Sequence, residues 1–200
     1  MYENAFGYDE RIPEIIRTEL MWLCQDVASL HNKWAIYSDL FNNKENTDIL
    51  SELAFWTFIN IEESMRNDMT MAISRLCDSA KTCGKNNLSL AFLVENCPDI
   101  PDLSGKFEEL FKTSDSVIIH RNKRVGHNDL NSVITPRENP LPGITKYQID
   151  KIIKLAESIL ITVFLNYTKG ELLFSTTGRG GPGSLLFYLK KGKSRANEFE

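Results

Sequence analysis

Two hundred residues, 42% hydrophobic and 25% charged, hold enough apolar material for one core with an appended tail, which excludes a disordered chain. A formal charge of −4 excludes a protein that coats nucleic acid without selectivity. It leaves room for a local basic site, because association follows where charge sits as well as its sum.

Cys24, Cys77, Cys83 and Cys97 form no CxxC pair and no zinc-like spacing with the three histidines. Free thiols in a reducing cytosol are expected, with no metal and no cofactor. No signal-peptide h-region opens the chain, and the most apolar run, 159–165, is far shorter than the ~20 residues a membrane helix needs. A cytoplasmic chain without a membrane partner is expected.

In chain order, Ile12, Ile15, Ile16, Leu20, Leu23, Val27, Leu30, Trp34, Tyr37 and Phe41 recur at threes and fours. They predict a helix over 12–41 with one buried stripe. Pro13 suits its first turn and Asn42-Asn43 end it. A second helix is predicted over 48–83 from the Asn46/Thr47 cap region, with Gly84 as its stop. Its first half (Leu50, Leu53, Phe55, Trp56, Phe58, Ile59, Ile61) is apolar on nearly every side, which points to a bundle centre or a subunit interface. Its second half narrows to Met65, Met69, Ile73 and Leu76.

A short helix over 88–95 and a fourth over 105–125 follow. Residues 135–143, with three prolines, read as a loop. Thr145 caps a last long helix to 169, whose apolar face includes Ile149, Ile152, Ile153, Ala156, Ile159, Leu160, Val163 and Leu165. The Gly-rich run 176–183 matches neither GxxxxGK[ST] nor GxGxxG and reads as a hinge to a small helix bearing Lys190, Lys191, Lys193 and Arg195. The expected fold is all-α: long antiparallel helices in a bundle over 1–170, and a short C-terminal appendage over 171–200.

The fourth helix carries the chemistry. Leu103, Phe107, Leu110, Phe111, Val117 or Ile118, and Val125 define its buried stripe, and Arg121 falls on it. An inward charge is costly unless paired or hydrated, so Arg121 implies a cleft, a subunit interface or an ion pair to an acid such as Asp68 or Asp78. His127 lies six residues on, about 240° further round a regular helix. Gly126 permits a break that folds the imidazole back over the arginine; otherwise His127 caps the helix end. If the helix stays regular, His120, Arg124 and His127 share a face instead. Arg75 and Asp78, at i,i+3, can pair with each other.

The run Arg121-Asn122-Lys123-Arg124-Val125-Gly126-His127-Asn128-Asp129 resembles the Arg-polar-x4-His motif of HEPN domains, and within them the abortive-infection AbiU-type branch. Trp34 with Tyr37-Ser38-Asp39-Leu40-Phe41, Ser74-Arg75-Leu76-Cys77-Asp78 and Asn87-Leu88-Ser89-Leu90 extend the likeness over roughly 30–130. Gly126 departs from it, since the related motif usually has alanine there.

The resemblance implies a HEPN-like helical bundle, commonly a homodimer with its two motifs facing, and a metal-independent endoribonuclease of phage defence or toxin type. Arg121 would bind the scissile phosphate, His127 act as general acid or base, and Asn122 orient the site. Lys123, Arg124 and Asn128 would contact substrate, while Arg75 and Asp78 would support the motif helix. RNA is the implied partner, with an antitoxin or defence protein beside it. The competing expectations are a non-catalytic module binding a nucleotide, RNA or protein, and a structural oligomer with Arg121 in a buried ion pair.

Overall fold

The computed structural model describes residues 9–174 and 181–196. Regular structure there is helical except for one two-stranded hairpin, so the fold class is all-α as expected. The chain divides into two compact units. One takes the chain up to Leu30 together with Thr70–Phe174; the other takes His31–Met69 with the C-terminal segment from Ser175.

Helix α1 spans Glu14–Phe41 and α2 spans Lys44–Leu76, each running through both units. In the first unit α1 buries Ile16, Leu20, Leu23, Val27 and Leu30, the expected stripe. Ile15, one residue from Ile16 and so about 100° round the helix, faces out at 60% exposure. Arg17 fastens the entry by donating to the Ile12 carbonyl from Nε (3.1 Å) and Nη2 (2.9 Å).

Helix α2 ends at Leu76, well before Gly84. The Cys77 N–H turns to both the Ile73 and Ser74 carbonyls, and the chain then forms a hairpin of β1 (Lys81–Thr82) and β2 (Lys85–Asn86). Cys83 (φ +50°) and Gly84 (φ +78°) make its two-residue turn, which requires positive φ at both positions. Gly84 therefore serves the hairpin and does not stop a helix. The Asn87 amide donates to the Ser79 carbonyl and to Thr82 Oγ1, pinning the hairpin base.

Helix α3 (Leu90–Asn96) is capped by Ser89, whose hydroxyl accepts from the Phe92 N–H. The predicted fourth helix is three consecutive pieces: α4 (Leu103–Thr113), α5 (Asp115–His120) and a π-helical turn (Arg121–Val125). The break falls at Ser114, fully buried with its hydroxyl beside the Cys77 thiol. Burial pushes that thiol up to about 11. Ser114 thus takes a place in the stripe Leu103, Leu110, Val117, and Phe111, expected on it, is 49% exposed.

A short helix α6 (Leu130–Ile134) was not legible in the sequence. Helix α7 (Lys146–Tyr167) starts from the Thr145 cap, as expected, and packs along α4 with α3 against both. It buries the expected face apart from Leu165, which is 51% exposed near its end. Lys106 Nζ to Thr162 Oγ1 (2.6 Å) and the Lys151–Glu109 ion pair (2.7 Å) tie α4 to α7.

In the second unit the later half of α1 and the earlier part of α2 form a hairpin. Trp34 and Tyr37 stack at 5.7 Å, and Tyr37 donates its hydroxyl to Glu62. The Asn43 side chain accepts from the Glu45 and Asn46 N–H groups, so α2 is capped at Asn43, earlier than Asn46/Thr47. The backbone leaves helical geometry at Ala54 and bends α2 there. Of the apolar residues around the bend Leu50 is buried, while Phe55, Trp56 and Ile59 are exposed, Trp56 by 75%. Helix α8 (Pro182–Ala196) lays Leu186 on Leu40 and Leu50. The Gly-rich stretch 175–180, the core of the expected hinge, lies outside the described residues.

Candidate functional site

Three contacts hold the helix that presents the motif. Gln148 Nε2, in the first turn of α7, donates to the Thr113 carbonyl (2.7 Å) and to Ser116 Oγ (2.6 Å), bridging the α4–α5 junction. Val117, 1% exposed, anchors α5 in the core. His120 Nε2 donates to the Pro142 carbonyl at 2.7 Å, and since a carbonyl only accepts, Nε2 carries the proton.

Arg121 then continues the stripe of Leu110, Ser114 and Val117, as its spacing predicted. Its Nη1 donates to Asn122 Oδ1 at 2.8 Å, so Asn122 does orient the guanidinium. Its Nε is buried without a hydrogen-bond partner. Among the described residues no carboxylate pairs with it: Asp68 is bound to Lys33, and Asp78 meets Arg75 through the backbone N–H and carbonyl alone. The ion-pair reading of Arg121 therefore fails. A buried cationic N–H without an acceptor costs about 1–3 kcal/mol or more, which an incoming anionic oxygen would recover.

The helix does not stay regular beyond Arg121. The Gly126 N–H donates to the Arg121 carbonyl at 2.6 Å, an i→i+5 bond that closes the π turn. That places Gly126 against Arg121: a Cβ there would stand 3.1 Å from the Arg121 carbonyl oxygen and 3.8 Å from Nε. The absent methyl is what lets the turn close this tightly. His127, the next residue, leaves the helix with its ring exposed. The alternative face of His120, Arg124 and His127 does not form. His120 is committed to Pro142, and Arg124 Nη2 donates to the Ser132 carbonyl at 2.8 Å.

The loop after the motif has its own brace. Asp129 caps α6, accepting from the Ser132 N–H (2.9 Å) and hydroxyl (2.7 Å), and its N–H returns to the Lys123 carbonyl. The Ser132 bonds, aided by the charge of Lys123, hold the Asp129 carboxyl below its ordinary value. Asp129 and Ser132 complete the site's frame, and the Asp-x-x-Ser spacing was the signal for them. Gln148 had no sequence signal, because its partners are far away along the chain. Lys123 and Asn128 are exposed beside the motif, and Arg75 is exposed on α2.

The surface bordering the motif is apolar. Leu130 (68%), Val133 (41%) and Ile134 (67%) of α6 are all exposed. Among the described residues no helix is long and apolar enough to cross a membrane.

A family model described as AbiU2, of the HEPN kind, matches residues 15–178. No curated protein and no solved structure matches the chain.

Proposed function

The chain belongs to the AbiU2 family of HEPN domains, an abortive-infection family, and from that premise we propose that it is a metal-independent endoribonuclease acting in phage defence as a homodimer. The observation that carries this reading is Arg121, on the inward stripe with a buried, unpartnered Nε and no neutralising carboxylate. RNA supplies its own nucleophile. The 2′-OH attacks the adjacent phosphorus, the P–O5′ bond breaks, and a 2′,3′-cyclic phosphate and a 5′-hydroxyl result. The planar fork of Arg121 receives the charge that builds on the phosphate oxygens. His127 moves a proton as general acid or base, the usual task of an imidazole near neutral pH.

Two proton transfers need two groups, and each chain offers one His127. The apolar surface of α6 beside the motif supports a partner chain there, bringing a second copy of the motif. The second reading is a non-catalytic module that binds RNA, nucleotide or protein. It is favoured by His127 itself, since no hydrogen bond from the described residues orients the exposed ring.

Labelled RNA incubated in excess EDTA separates the two. Wild-type protein should cut it and leave 2′,3′-cyclic phosphate ends, and Arg121→Ala and His127→Ala should each slow cutting by about 10²-fold or more. Cleavage that persists unchanged in the double variant sinks the nuclease reading.

A further inference from the structure

Helix α8 has four cations, Lys190, Lys191, Lys193 and Arg195, and no acid, in a chain whose net charge is −4. Its inner side is fully engaged. Leu186 is buried on Leu40 and Leu50, Lys190 Nζ pairs with Glu45 at 2.7 Å, and Lys193 Nζ pairs with Glu52. Phe187, Tyr188, Lys191 and Arg195 fall on the opposite side, all within about 100° of arc at helical spacing. All four are exposed, Phe187 by 59% and Tyr188 by 69%. The two rings meet edge to face at 5.4 Å, and Lys191 Nζ lies 6.0 Å from the centre of the Phe187 ring.

Two large aromatic rings held in water beside cations with no counter-charge are a costly surface to keep unless something covers them. We propose that this outer stripe of α8 is a stacking platform for single-stranded RNA, with bases on Phe187 and Tyr188 and phosphates at Lys191 and Arg195. The choice of RNA as the strand rests on the nuclease reading above. The chemistry itself is local: unpaired bases offer the π-faces, and the spacing of rings and cations along one stripe matches a chain of alternating bases and phosphates. A membrane surface fits less well. An interfacial helix needs a continuous apolar face, and Leu186 is already spent inside the unit.

The test measures binding without cleavage, by fluorescence anisotropy of a short unstructured RNA against the full chain carrying His127→Ala, in EDTA. Adding Phe187→Ala and Tyr188→Ala should weaken binding by tenfold or more. Adding Lys191→Gln and Arg195→Gln should lower the slope of log affinity against log salt by about 1.4, about 0.7 per phosphate contact. All four side chains are exposed, so both variants should melt as the parent does. Parental affinity in the aromatic variant overturns the proposal, as does equal affinity for duplex DNA of the same length. It is overturned too if the aromatic variant loses binding to anionic phospholipid vesicles while holding RNA as before. RNA binding that depends on α8 in a wild-type chain that cuts nothing sustains the platform and removes the nuclease. Cleavage that needs Arg121 but ignores α8 in both affinity and rate does the reverse.

Discussion

At the scale of single residues, Arg121 shows how far a pattern reaches and where it stops. Its place on the inward stripe followed from counting back to Val117 and on to Val125. Its lack of an acidic partner did not, because Asp68 and Asp78 stood at plausible distances along the sequence, and geometry alone committed Asp68 to Lys33. The arrangement of Nε, Nη1 and Asn122 makes a prediction that charge alone would not. Arg121→Lys keeps the positive charge but loses the fork and the bond to Asn122 Oδ1. Cleavage in the lysine variant should fall by about 10²-fold, close to the loss in Arg121→Ala, with the melting temperature little changed. A lysine variant with near wild-type turnover would show that charge suffices and that the fork is idle.

Among the elements, the hairpin at 81–86 offers the clearest stability test. Cys83 holds φ at +50°, a conformation that costs most side chains about 1 kcal/mol, and it precedes Gly84 in a two-residue turn. Asparagine is the residue best suited to that first position. Cys83→Asn should therefore raise unfolding stability by about 0.5–1 kcal/mol, read from denaturant midpoints at unchanged slope. It also removes the one exposed thiol, leaving Cys24, Cys77 and Cys97 buried. A lower midpoint would mean that the thiol contributes something the turn geometry does not express.

The hairpin also marks where reading elements from sequence succeeds and fails. Caps with a side-chain signature were legible: Thr145 starts α7 where expected, since a hydroxyl just before an apolar run has one good use. The end of α2 was missed by several residues. Gly84 signals a helix stop and a hairpin turn equally well, and the strands it joins are two residues each, too short to show alternation. The break at Ser114 was missed because a serine inside an amphipathic run gives no sign that it will be buried beside Cys77.

On the scale of the whole molecule, the sequence announced more apolar surface than one chain can cover. The first half of α2 and all of α6 bear this out, with Trp56 and Ile134 among the most exposed apolar residues of the chain. The α6 patch borders His127, so a dimer formed there would join two half-sites. Leu130→Glu with Ile134→Glu removes two apolar side chains from each copy, roughly 2 kcal/mol apiece, and sets like charges against each other. Light scattering should then report a monomer at concentrations where the wild type is a dimer, and cleavage should disappear with it. A variant that stays dimeric and active would place the contact elsewhere, and the exposed side of α2 would become the next surface to alter. Helix α2 bends at Ala54 in the middle of that second apolar region, where a straight helix would present its residues on other bearings.

The π turn at Arg121–Val125 bears on how the motif can be inherited. A π turn is a phase slip: one more residue is wound into the turn than an α-helix would hold, and everything downstream is carried round to compensate. Substitutions at Asn122, Lys123 or Arg124 leave the phase alone. Deleting any one residue between Arg121 and Gly126 would restore the α phase and rotate His127 by about 100° about the helix axis. Such a lineage would keep an arginine and a histidine in order, and a search tolerant of gaps would still match them, though the two would no longer face one another. For this family, the number of residues between the arginine and the histidine is therefore a stricter mark of an intact site than their identities.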